Sequence, residues 1–99
     1  KEVMRVLNLT EVSEFEAGET FLREGEPGDE LYIVLKGKVR LHKENAFITY
    51  LTPGAHLGEM ALIDRSPRSA SATAEERSRL LILRRREFYE IIRKDPPLS

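Results

Sequence analysis

The chain has no cysteine among its 99 residues and only two histidines, His42 and His56. Disulfides, thiolate-bound metals and iron–sulfur clusters are therefore excluded from these residues. Long apolar runs are also missing: no stretch could span a bilayer, and no signal-peptide pattern opens the sequence. Charge of one sign is not in excess, since 16 Lys and Arg stand against 17 Asp and Glu, for a formal net charge of −1. Electrostatics thus gives this segment no reason to contact nucleic acid or a membrane surface. A cytoplasmic domain is the expectation.

What is present fits one domain with one modest core, because a chain of this length buries roughly two-thirds of the surface it exposes when unfolded. Residues 1–63 carry 7 basic and 11 acidic groups, and residues 64–99 carry 9 and 6, so positive charge gathers around and after Arg68. Gly18, Gly25, Gly28, Gly37, Pro53 and Gly54 interrupt short segments rich in Val, Ile, Leu and Tyr. That punctuation predicts about eight short strands in an all-β sandwich or barrel. In LYIVLKGKVRL, Leu31, Ile33 and Leu35 alternate, and Val39 and Leu41 repeat the alternation after Gly37, which reads as a hairpin with a short turn. FITYL, SATA and SRLLILR supply further strands. Toward the end, REFYEIIRKDPP spaces Phe88, Ile91 and Ile92 as one face of a short helix stopped by two prolines, although residues 84–86 offer no capping oxygen. KEVMRVLNL at the start has the pattern of the end of another helix.

The stretch GEMALIDRSPRSASA, residues 58–72, holds a lone carboxylate and an arginine among small side chains. If GEMALI forms a helical turn, its first N–H groups have no intrahelical acceptor and offer a site to a phosphate or carboxylate. Gly58 leaves room for close approach, and Pro67 restricts Ser66 and fixes its own φ, so that the chain reverses before Arg68. A guanidinium could then bond the same anion through two parallel N–H donors. Glu59 beside that anion needs a neutral donor, and a sugar hydroxyl is one. Such a pocket suits a phosphorylated ribose. On spacing alone, an exposed Glu–Arg ion pair worth about 0–1 kcal/mol remains the competing reading.

The stretch resembles the phosphate-binding cassette of the cyclic nucleotide-binding domain family: Gly58, Glu59, Met60, Ala61, Leu62 and Ile63, then Arg68, Ser69 and Ala70. A second signature of that family is matched upstream by Gly25, Gly28, Asp29, Leu31, Tyr32, Ile33, Val34 and Gly37. The resemblance covers roughly residues 10 to 95. It implies a mainly β fold, an eight-stranded jelly-roll β-barrel with short flanking α-helices, as one domain over residues 1–99 cut from a longer regulatory protein. It implies a regulatory module for a 3′,5′-cyclic nucleotide, not an enzyme, with no cofactor or metal. The ligand would lie on Gly58, Glu59, Met60, Ala61, Arg68, Ser69 and Ala70. Arg68 would take the exocyclic phosphate oxygens and Glu59 the ribose 2′-hydroxyl, while the backbone amides of Ala61 and Ser69 complete the cassette and Met60 fills space beneath it. Val39, Leu41 and Tyr50 would face the base. Ser69 stands where a Thr favours cGMP and an Ala favours cAMP; Arg-Ser-Ala leans toward cAMP. The family closes its pocket with a helix beyond the position of Pro96 and Pro97, which relays binding to an effector domain or subunit, and this sequence ends at Ser99.

Two other readings stay open. The fold could serve protein contacts without a ligand. A cupin-type metalloenzyme would need two histidines one residue apart, but Gly58 stands where His56 requires a second imidazole. His56 is then a loop residue. The run Arg84–Arg86 reads as solvated, and Tyr89 as packing against the barrel beside Phe88.

Overall fold

Turn residues divide the described residues into eight strands: β1 (Glu11–Phe15), β2 (Thr20–Leu22), β3 (Glu30–Lys36), β4 (Val39–Lys43), β5 (Ala46–Leu51), β6 (His56–Leu57), β7 (Ser71–Ala74) and β8 (Ser78–Arg84). Among the described residues one helix, α1 (Arg85–Lys94), follows β8 without a loop. This computed structural model describes residues 11–44, 46–58 and 66–94, the last four by backbone alone. The expected N-terminal helix lies outside the described residues, as do Glu59, Met60 and Ala61.

The strands form two antiparallel four-stranded sheets, in the orders β1-β8-β3-β6 and β2-β7-β4-β5. The partners β1 with β8, β2 with β7, β3 with β6 and β4 with β5 nest inside one another along the chain, which is jelly-roll winding. The eight strands thus appear as expected, but as two facing sheets and not as a closed barrel.

The hairpin expected in LYIVLKGKVRL is not formed. β3 pairs with β6 and β8, and β4 pairs with β5 and β7, so the chain crosses from one sheet to the other at Gly37 and Lys38. Ser78 holds the crossing: its hydroxyl accepts from the Lys38 amide at 3.1 Å and lies 3.2 Å from the Lys38 carbonyl and 2.8 Å from that of Glu76. β3 also buries the face opposite to Leu31, Ile33 and Leu35. Tyr32 and Val34 point into the core, while Leu31 and Ile33 pair with Leu83 and Leu81 on the outer side of the sheet and Leu35 is exposed. The core gathers Leu22, Tyr32, Val34, Val39, Leu57, Ala72, Leu80 and Ile82, with Phe15, Phe21, Leu41 and Leu51 packed against it. Phe15 stacks on Phe21, whose ring lies 5.3 Å from that of Tyr32.

β1 is fastened to β8 by charge as well as by backbone. Glu14 accepts from Arg77 at 2.5 Å and from Arg79 at 2.8 Å, and Glu11 from Arg84 at 2.6 Å. These guanidiniums hold both carboxyls below the usual range. The missing N-terminal cap of α1 comes from inside the helix, because the Glu87 carboxylate reaches back to the Arg84 amide at 3.2 Å. The Arg84 guanidinium is partly exposed but paired with Glu11, and Arg85 lies over the Tyr89 ring. Tyr89 is partly exposed, and its ring meets that of Phe88 edge to face at 5.6 Å between centres.

Candidate functional site

Arg68 is a cation with 8% of its surface exposed, on the segment that enters β7. Its backbone is fixed at both ends by the loop after β2: the Arg68 amide donates to Glu26 O at 3.0 Å, and the Gly25 amide donates to Arg68 O at 2.8 Å. The side chain then runs toward the start of β3. There Nη1 donates to the Glu30 carbonyl at 3.1 Å and Nη2 to the Glu30 carboxylate at 3.4 Å. The guanidinium also lies 5.9 Å from the centre of the Tyr32 ring.

Two glycines make space for this group. A Cβ on Gly28 would run into the Arg68 guanidinium, and one on Gly58 would sit 2.7 Å from the Glu30 carbonyl and 2.8 Å from Arg68 Nη1. Gly58 also has φ 88°, where L side chains are strained. The upstream Gly25–Gly28 signature is thus half of the arginine's seat, although in sequence it lies about forty residues away.

A cavity of about 300 Å³ opens beside Arg68. Leu22, Leu41, Leu51 and Leu57 give it an apolar side, while Gly58, Ser66, Pro67, Arg68, Ser69 and Ala70 give it a side with a cation, hydroxyls and backbone. That size and mixture suit a small ligand with one anionic and one apolar end. Of the cassette residues, Gly58, Arg68, Ser69 and Ala70 are brought together here; Glu59, Met60 and Ala61 lie outside the described residues. Of the three residues expected to face the base, Leu41 lines the cavity. Val39 is fully buried in the core, and Tyr50 is 44% exposed, packed against Phe47 with the Lys38 ammonium over its ring. His56 is not a loop residue: it lies on β6 opposite Ile33 and lines the cavity. His42 belongs to the other sheet, with Nε2 at 2.8 Å from the Thr73 hydroxyl.

Beneath the guanidinium, the Tyr32 hydroxyl donates to Glu30 Oε1 at 3.3 Å. Burial, reinforced by the Glu30 charge, pushes the phenol up to about 12. Glu30 is the residue that sequence reasoning missed. Nothing in its spacing marks it as a partner of Arg68, and its place immediately before the matched Leu31 and Tyr32 is the only pointer.

Comparison with known proteins agrees with this geometry. The chain is 39% identical over 84 residues to the cyclic AMP receptor protein of Thermus thermophilus, covering 80% of this chain and 39% of that one. It is 41% identical over 71 residues to a cGMP-dependent protein kinase of Eimeria tenella, covering 72% of this chain and 7% of the kinase. It therefore spans well under half the length of either relative. The crystal structure of Thermus thermophilus catabolite activator protein superposes with a TM-score of 0.86 at 36% identity, over 96% of this chain and 47% of that one. Residues 12–95 match the cyclic nucleotide-binding domain, and the chain belongs to that family.

Proposed function

We propose that the cavity beside Arg68 takes a 3′,5′-cyclic purine nucleotide, cAMP in preference to cGMP, and holds it without hydrolysis. The observation that carries this reading is a buried guanidinium at the wall of a 300 Å³ cavity whose other side is leucine. Arg68 would receive the phosphate, Gly58 and Glu59 the ribose, and the amides of Ala61 and Ser69 the remaining phosphate oxygens, with Met60 and Ala70 shaping the cassette. The base would rest against Leu41. Ser69 supports cAMP only mildly, so cAMP should bind more tightly than cGMP by less than about tenfold. The domain would act in the cytoplasm as the sensing part of a longer regulatory protein, passing occupancy to an effector domain or subunit.

Titration calorimetry with cAMP and cGMP tests the reading, with Arg68→Ala as the control. Saturable heat in the wild type that disappears in the variant is the expected result. No heat with either nucleotide at millimolar ligand would leave the fold as a protein-contact module.

A further inference from the structure

Glu30 faces two guanidiniums. Its Oε1 accepts from Arg68 Nη2 at 3.4 Å, a long contact, while its Oε2 is 3.9 Å from Arg84 Nε, just beyond hydrogen-bond reach. Arg68 is anchored: its side chain is 7% exposed and its backbone is pinned to Gly25 and Glu26. The Glu30 carboxylate is the movable partner, because its side chain is 27% exposed. Arg84 sits at the junction of β8 and α1, and is held from its other side by Glu11.

A buried cation needs an anion nearby. In this structure the Glu30 carboxylate supplies it. A phosphate arriving at Arg68 brings a second negative charge to the same guanidinium, and the two anions repel. Arg84 offers the displaced carboxylate another cation a short distance away.

We propose that Glu30 is an internal stand-in for the ligand's phosphate: it occupies Arg68 in the empty domain and exchanges Arg68 for Arg84 when the ligand binds. The inference rests on the nucleotide reading of the cavity. It makes Glu30 a positioning residue that sets affinity by competition, and it links occupancy of the cavity to the start of α1.

Binding of cAMP to wild type, Glu30→Gln, Arg84→Met and the double variant tests the exchange. Glu30→Gln keeps the shape and removes the charge, so it should tighten binding by about three- to tenfold. Arg84→Met leaves Glu30 with Arg68 alone and should weaken binding. In the Glu30→Gln background, Arg84→Met should then change affinity little, whereas a general loss of positive field would persist there. A purely structural role for Glu30 would weaken binding when it is removed. Wild-type binding with Glu30→Gln unchanged or weaker would overturn the exchange alone. Wild type that binds neither cAMP nor cGMP would overturn the nucleotide reading and the exchange with it. If Glu30→Gln does not fold, Arg84→Met carries the test, and binding as tight as wild type would overturn the exchange.

Discussion

Arg68 combines two properties that oppose each other in an ordinary protein interior: a permanent charge and near-complete burial. A lysine there keeps the charge but loses the planar fork that reaches the Glu30 carbonyl and carboxylate together. Arg68→Lys should therefore weaken cyclic nucleotide binding strongly, and Arg68→Ala should cost about 2–5 kcal/mol of it. Gly28→Ala attacks the same group without touching its charge, since the new methyl must displace the guanidinium. We expect it to lower affinity while the domain remains folded, as circular dichroism beside calorimetry would show; undiminished affinity would mean that the arginine is held elsewhere when ligand is bound. Tyr32 gives a pH signature. Its folded-state value, about 12, lies above the ordinary 10.0, so the protonated phenol stabilises the fold fully below pH 10 and that contribution is lost as pH rises toward 12. Over that window the denaturation midpoint of the wild type should fall more steeply with pH than that of Tyr32→Phe.

Among the elements, the least regular junctions carry the most testable chemistry. Ser78 is buried, and its hydroxyl meets the Lys38 amide and carbonyl where the chain changes sheets. Ser78→Ala would strand that amide and should cost about 1–3 kcal/mol in chemical denaturation. Glu87→Ala removes the reach-back to the Arg84 amide and should cost less, about 0.5–2 kcal/mol, because the start of α1 is partly solvated. Sequence was a good guide to β7 and β8, whose bounds coincide with SATA and SRLLILR, because turn residues flank both. It was a poor guide at Gly37. Two alternating apolar segments around one glycine look alike whether they pair with each other or face each other across a core, and only the Ser78 and β8 contacts decide. LYIVL is apolar on both faces, so its alternation could not say which face is buried. At the site, the cassette residues were legible as a string, whereas the Glu30 contact joins positions 38 residues apart and follows from tertiary packing alone.

At the scale of the whole molecule, the cavity draws its walls from both sheets: Leu22, Leu41 and Leu51 from one, His56 and Leu57 from the other. A ligand there bridges the two layers and stabilises only the folded chain. At a hundred times its dissociation constant it should add about 2.7 kcal/mol, raising the melting temperature by roughly 10–20 °C for a domain of this size. Arg68→Ala should abolish that rise at the same ligand concentration. Leu80→Ala, at the fully buried centre of β8, should lower stability by about 2–5 kcal/mol and yet leave the ligand-induced rise in place. Differential scanning fluorimetry reads both.

The nested winding also determines how the fold would respond to tension. β1 and β8 pair antiparallel with Glu11 opposite Ile82 and Phe15 opposite Ser78, so the two ends of the described fold leave the sheet from the same edge of the ribbon. Pulling them apart loads the hydrogen bonds one rung at a time, beginning beside the Glu11–Arg84 pair, whereas strands leaving at opposite edges would share the load in shear. The domain should accordingly open at low force, like a zipper, from the corner where Arg84 also faces Glu30.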